Sequence, residues 1–301
     1  MLKEEPKRIL KVKNIFLYPS KKPLNYSNVS TKVVSKSKIL KEKDYLRAKN
    51  IFNLIKKGKW ITALQQTKKV KDKEFKNLVT WLYLKERGNQ ATFNDYKNFI
   101  EQHPNYPRID RIKYLAESKI YLRNHSPTSI INWFEQHPPL GGIGKIKLAE
   151  AYLEQGKVLE VDKLIKEGWI TAEIRKNDLG YYRAKFKKFL TSEDHIKRAD
   201  YLAWEKKYWD LKRMLRYLPK DYELLYTARQ ILMSKSYGVD KAIKVVPTKL
   251  KNDAGLNYDR LKWRRKRGRV DDSLEIILKV KNNKDYLVRP DKWWVERAIM
   301  A

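Results

Sequence analysis

The chain has 301 residues, with 68 Lys and Arg against 35 Asp and Glu, a formal charge of +33, 42% hydrophobic residues and no cysteine. The lack of cysteine excludes disulfide frameworks, thiol nucleophiles and Cys-ligated zinc or iron–sulfur centres. The apolar fraction is enough for packed cores, and about 300 residues predict one elongated domain or two smaller ones.

His103, His125, His137 and His195 are the only histidines, and none lies three or four residues from another, as a helical metal pair requires. No metal or cofactor is therefore expected. No stretch reaches the roughly 18 apolar residues of a membrane span, and Ile15 to Tyr18 is too short for a signal-peptide core. The bases comprise 49 Lys and 19 Arg, and scattered Lys marks solvated faces more often than phosphate recognition, although +33 attracts polyanions in a salt-dependent way.

Residues 1–43 hold eleven Lys, one Arg, three acids and three prolines with no helical period, and read as a basic, extended lead-in. From Asp44 helical hairpins begin, and residues 44–301 read as one α-superhelical domain. Tyr45, Ala48, Phe52 and Ile55 form an apolar stripe, Gly58 breaks it, and Trp60, Leu64 and Val70 return. Ile146, Ala149 and Leu153 lead likewise to Gly156, followed by Val158, Val161 and Ile165. Tyr201 and Trp204 precede a turn at Lys207, followed by Trp209 and Met214, and Trp263 precedes Gly268, followed by Leu274, Ile277 and Leu278.

Thr92 with Asp95 and Thr191 with Asp194 have the capping-box form of a helix start. Asn98–Pro104 and Asn132–Pro138 match at a distance of 34 residues, the tetratricopeptide period, which leaves room for about seven hairpins. Strand signals are almost absent. The fold class is all-α, a solenoid of divergent stacked hairpins.

Gly141-Gly142-Ile143-Gly144-Lys145 resembles a phosphate loop in composition, but Pro139 and Ile146 stand where such a loop needs Gly and Ser or Thr, so it reads as a hairpin connection. Glu117-Ser118 reads as mid-helix, with Lys113 placed to pair with Glu117, and Asp271 and Asp272 read as acids at a helix start. The run Arg260, Lys262, Arg264, Arg265, Lys266, Arg267 and Arg269, with Trp263 inside it, is the candidate anion-binding patch. Of the nine tryptophans most read as core, while adjacent Trp293 and Trp294 point two ways and mark a candidate exposed edge.

Several segments together resemble one known family. These are Gly58-Lys59-Trp60 into Ala63-Leu64, Trp81 to Leu84, Phe99 to Tyr106-Pro107, Trp133-Phe134 through Leu140, Leu148 to Ala151, Gly238-Val239-Asp240, and Trp293 to Arg297. In order and spacing they resemble the N-terminal superhelical region of soluble lytic murein transglycosylases. That resemblance implies a stack of helical hairpins in the periplasm, joined to a lysozyme-like domain that cleaves peptidoglycan and leaves a 1,6-anhydromuramic end. Glu117-Ser118 shares two letters with that domain's catalytic start, but the Gly-Leu-Met-Gln type segment does not follow, so no catalytic residue is carried over.

The expected function is a scaffold or glycan-binding element without activity of its own, with peptidoglycan or a separately encoded catalytic domain as partner. A general protein–protein adaptor is the alternative, and nucleic-acid binding ranks third. The periplasm follows from the resemblance, the cytoplasm if Met1 is the true start. The chain also reads as truncated inside its helical array, so that residues from about 286 onward are expected to be its least protected helical part, or else to mediate self-association through the Trp293–Trp294 pair.

Overall fold

Four turns of one geometry set the rhythm of the chain. At Gly58, Gly156, Lys206 and Gly268 the backbone is left-handed, with φ of 68°, 72°, 56° and 72°. The following residue, Lys59, Lys157, Lys207 or Arg269, donates its amide to the carbonyl five residues back, on Leu54, Tyr152, Leu202 or Arg264. This is the Schellman closure of a helix, and each time a new helix begins at the next residue. Glycine suits three of these positions. Lys206 adopts the strained conformation at the fourth, and its side chain reaches the buried Asp259.

A computed structural model of the chain describes residues 37–301 apart from 235, 236, 282 and 285. Most of the expected lead-in at 1–43 lies outside the described residues. The helices form two compact units divided between Thr80 and Trp81. Among the described residues all regular structure is helical.

The first unit contains α1 (Glu42–Lys56), α2 (Trp60–Lys68) and the start of α3 (Lys73–Lys85). Its core is Ala48, Ile51, Ala63, Val70, Phe75 and Val79. The buried stripe of α1 runs through Asp44, Ala48 and Ile51, one residue round from the expected one, and Phe52 lies at its exposed margin. The carboxylate of Asp44 fixes this register by accepting from the amides of Lys71 and Asp72.

The second unit continues with α4 (Phe93–Gln102), α5 (Ile109–Glu117), α6 (Pro127–Gln136), α7 (Gly142–Glu154) and α8 (Val158–Thr171). It goes on through α9 (Leu179–Lys185), α10 (Ser192–Trp204), α11 (Tyr208–Met214) and α12 (Lys220–Leu232). It ends with α13 (Val239–Lys244), α14 (Ala254–Arg265), α15 (Val270–Lys279) and α16 (Pro290–Met300), with short 3-10 turns at Leu215–Tyr217 and Thr248–Leu250. Both expected capping boxes are formed, at Thr92–Asp95 and Thr191–Asp194.

Within this unit α7 packs on α8, α8 on α10, α10 on α12, and α12 on α14, the stacking of a helical solenoid. The two matching segments end α4 and α6 in the same way. His103 and His137 each close their helix onto the carbonyl four residues back and pack on the aromatic ring of Phe99 or Trp133, tilted in the first case and edge-on in the second. In α15 the buried residues are Ser273 and Ile276, while the expected Leu274 and Leu278 are exposed. As in α1, two overlapping apolar stripes compete, and a small polar residue takes the inner position.

Gly255 tests how tightly the second unit is packed. A methyl group there would meet the guanidinium carbon of Arg229 at 2.2 Å. Gly255→Ala is expected to lower stability in urea unfolding by about 1–3 kcal/mol. Gly180→Ala, where nothing lies within 4 Å of the added carbon, is expected to leave it unchanged or slightly raised.

Candidate functional site

Glu117, at the end of α5, is 2% exposed. It does not pair with Lys113, which lies against Asp110 instead. Its two oxygens accept from the amides of Leu140 at 2.5 Å and Gly141 at 3.0 Å. Added side-chain carbons at Gly141 and Gly144 would lie within 3.0 Å of the carboxylate. Gly141 and Gly144 therefore make room for Glu117, Gly142 makes room for the end of α8, and the amides leading into α7 serve an internal carboxylate. This accounts for a motif whose composition suggested phosphate binding, and it leaves Glu117 no reach to a substrate.

Burial pushes the Glu117 carboxyl up from 4.5 to about 7, although the backbone amides of Leu140, Gly141 and Gly144 pull it down. The folded chain then holds this proton more tightly than the unfolded chain. The contribution is full below about pH 4.5 and is lost as pH rises to about 7.

The seven bases of the candidate patch do not act as one surface. Arg265 is engaged with buried Glu296, Nε at 2.6 Å and Nη2 at 3.2 Å, and Lys262 Nζ lies 3.9 Å from the same carboxylate. Arg264 donates to the Asp272 carbonyl at 2.9 Å. Arg267 lies over the Trp263 ring at 3.9 Å and Arg269 at 5.6 Å. Arg260, half-buried, shares with Trp263, Arg264 and Arg269 a cavity of about 210 Å³ beside α13. The Nε of Arg260 and the indole N–H of Trp263 are buried and have no hydrogen-bond partner among the described residues.

A wider cleft of about 1060 Å³ also borders Trp263 and is lined by Tyr208, Lys262, Lys266, Arg267 and Arg269. Two carboxylates, Asp240 and Asp259, also border it. Asp259 is already neutralised by Arg229 and Lys206. The bases left to act together are thus Lys266, Arg267 and Arg269, of which Arg267 and Arg269 lie over the Trp263 indole, while Lys262 is shared with Glu296. Asp271 and Asp272 lie in the first turn of α15, where the helix dipole favours acids.

The structure separates the two tryptophans of the candidate edge. Trp294 is 72% exposed, but Trp293 is 2% exposed and meets Tyr258 edge-on at 5.3 Å. With Glu296 on Arg265 and Lys292 Nζ donating to the Trp204 carbonyl, Trp293 docks α16 on the preceding helices. Sequence reasoning had the two rings pointing two ways but named both as the candidate edge. It missed Tyr258 as the partner of Trp293 and Glu296 as the partner of Arg265.

Comparison with protein-family models, with curated proteins and with solved structures returns no match. Among the described residues no helix is long and apolar enough to cross a membrane, and no cluster of His, Asp and Glu is arranged to hold a metal ion.

The state of Glu117 is open to direct test. Urea unfolding of the wild type and of Glu117→Gln across pH 4.5 to 8 is expected to show the wild type losing stability relative to the variant as pH rises. At about 1.4 kcal/mol per pH unit, the displacement from 4.5 to about 7 corresponds to a change on the order of 3 kcal/mol. Parallel curves would mean that the amides, and not burial, govern this group.

Proposed function

We propose that the chain is a non-catalytic helical-repeat scaffold, similar to the superhelical region of soluble lytic murein transglycosylases, that binds the anionic glycan–peptide polymer of the bacterial cell wall. The observation that carries this reading is the cleft at Trp263, where Arg267 and Arg269 lie over an indole, Lys262 and Lys266 line the same wall and Tyr208 adds a second ring. Peptide carboxylates on the polymer suit the cations, and sugar faces suit the half-buried rings of Trp263 and Tyr208. The engagement of Glu117 with backbone amides supports a role without bond cleavage. The reading carries the cell envelope as compartment and a separately encoded catalytic domain as partner.

Sedimentation with purified murein sacculi tests it. The wild type is expected to co-sediment, and Lys266→Glu with Arg267→Glu and Arg269→Glu together to lose most of that binding while keeping its helical circular dichroism. Arg265 is left unchanged because its charge holds Glu296. Unaltered sedimentation of the triple variant would overturn the assignment of the cleft. Release of anhydro-muropeptides above a boiled control would overturn the non-catalytic reading, and equal loss of RNA binding in the same variant would reduce the cleft to a general polyanion site. Recovery of one stoichiometric protein partner, without binding to sacculi, would favour the adaptor reading.

A further inference from the structure

A third cavity, of about 660 Å³, lies against α7 and α9 and is walled by Tyr121, Tyr181 and Tyr182. Lys147 lines it. This lysine stands in the middle of α7, where every neighbour from Ile146 to Ala151 is buried, and is itself 3% exposed. Its Nζ has no hydrogen-bond or ion-pair partner among the described residues. Instead it lies over the rings of Tyr121 at 4.2 Å and Tyr182 at 5.3 Å.

The acid one turn on is not its counter-ion. Glu150 accepts from the Tyr181 hydroxyl at 2.5 Å and pairs with Lys185 at 3.3 Å. The remaining charged groups facing the cavity are Arg123 from the connection after α5, and Arg175, Lys176 and Asp178 from the connection before α9. Burial pushes the Lys147 amine down to about 8, with Glu150 and Asp178 pulling it up and Arg175 and Arg123 pressing it further down. A lysine kept in a core without a carboxylate is costly unless something compensates it, and an aromatic face does so only in part.

We propose that this cavity binds a small organic oxyanion, a carboxylate or a phosphate ester, whose oxygens accept from Lys147 and from the guanidinium groups of Arg123 and Arg175, with its body against the tyrosine rings. The volume falls within the usual range for small-ligand sites, roughly 300–1,000 Å³. The site is separate from the Trp263 cleft and does not depend on the function proposed for it. An anion placed on Lys147 raises the affinity of its amine for a proton, so binding near pH 8 takes up a proton from solvent.

Calorimetric titration at constant ionic strength tests the proposal, with inorganic phosphate and citrate as separate probes at pH 8 in two buffers of different ionisation enthalpy. The expected result is one-site binding of at least one probe, with proton uptake. Binding of phosphate alone marks the natural ligand as a phosphate ester, and binding of citrate alone as a carboxylate. Lys147→Met is expected to weaken binding at least about tenfold and to abolish the uptake, and Arg175→Gln to weaken it several-fold. If Lys147→Met does not fold, isotope-labelled reductive methylation of the wild type follows the same amine by NMR, with a titration near 8 that moves up when the probe is added. Failure of both probes to bind below about 10 mM, or binding unchanged in Lys147→Met, would overturn the proposal and leave Lys147 as a core lysine held by its tyrosines.

Discussion

The packing of α10, α12 and α14 depends on the neutralisation of one guanidinium. Arg229 on α12 is wholly buried, with Nη1 at 2.6 Å from Asp200 on α10 and Nε at 2.9 Å from Asp259 on α14. Asp253, which caps α14 through the Leu256 amide, lies 3.9 Å away. The plane of the group faces Trp204 and Tyr226, and Gly255 is the residue that lets α14 approach it. Removing a guanidinium from water costs several kcal/mol, and this cost is offset only when both carboxylates are in place. The ion pair therefore selects one register for three helices, which apolar stripes alone leave free to rotate. The same pair explains why Lys206 holds a strained turn, since its ammonium supplies the second charge on Asp259.

The device recurs along the second unit, each time between residues 23 to 31 apart. Arg198 on α10 donates to the carbonyls of Trp169 and Ala172 at the end of α8, and burial pushes its guanidinium down to about 10. Arg265 on α14 holds Glu296 on α16, and Glu117 on α5 holds the entry to α7. In a solenoid each hairpin meets mainly its neighbours, so few distant contacts, such as that of Lys292 on α16 with the Trp204 carbonyl, correct a slipped register. Buried polar contacts that are costly when unmade take that corrective part, with apolar burial supplying the bulk of the driving force.

Much of the helical plan was legible in the sequence, because glycine at 58, 156 and 268 is the residue that a left-handed helix end prefers, and because Thr-x-x-Asp signals a capped start. The turn at Lys206 was read one residue late, since a non-glycine residue in that conformation leaves no mark in composition. The inner faces of α1 and α15 were displaced because Asp44 and Ser273, both polar, take buried positions that periodicity assigns to apolar residues. The basic run at 260–269 was found, but its division between Glu296 and Trp263 depends on helices distant in sequence. Lys147 was overlooked, because α7 also carries Lys145, Glu150 and Glu154 and the sequence does not show which of its charges is buried without a close partner.

The account makes the Arg229 pair the determinant of register, and a double-mutant cycle in urea unfolding measures this most directly. Arg229→Met and Asp259→Leu, each alone, leave a buried charge without its partner and are expected to cost about 3–5 kcal/mol, with the double variant costing clearly less than the two losses together. Single variants that unfold within about 1 kcal/mol of the wild type, or losses that simply add, would contradict it.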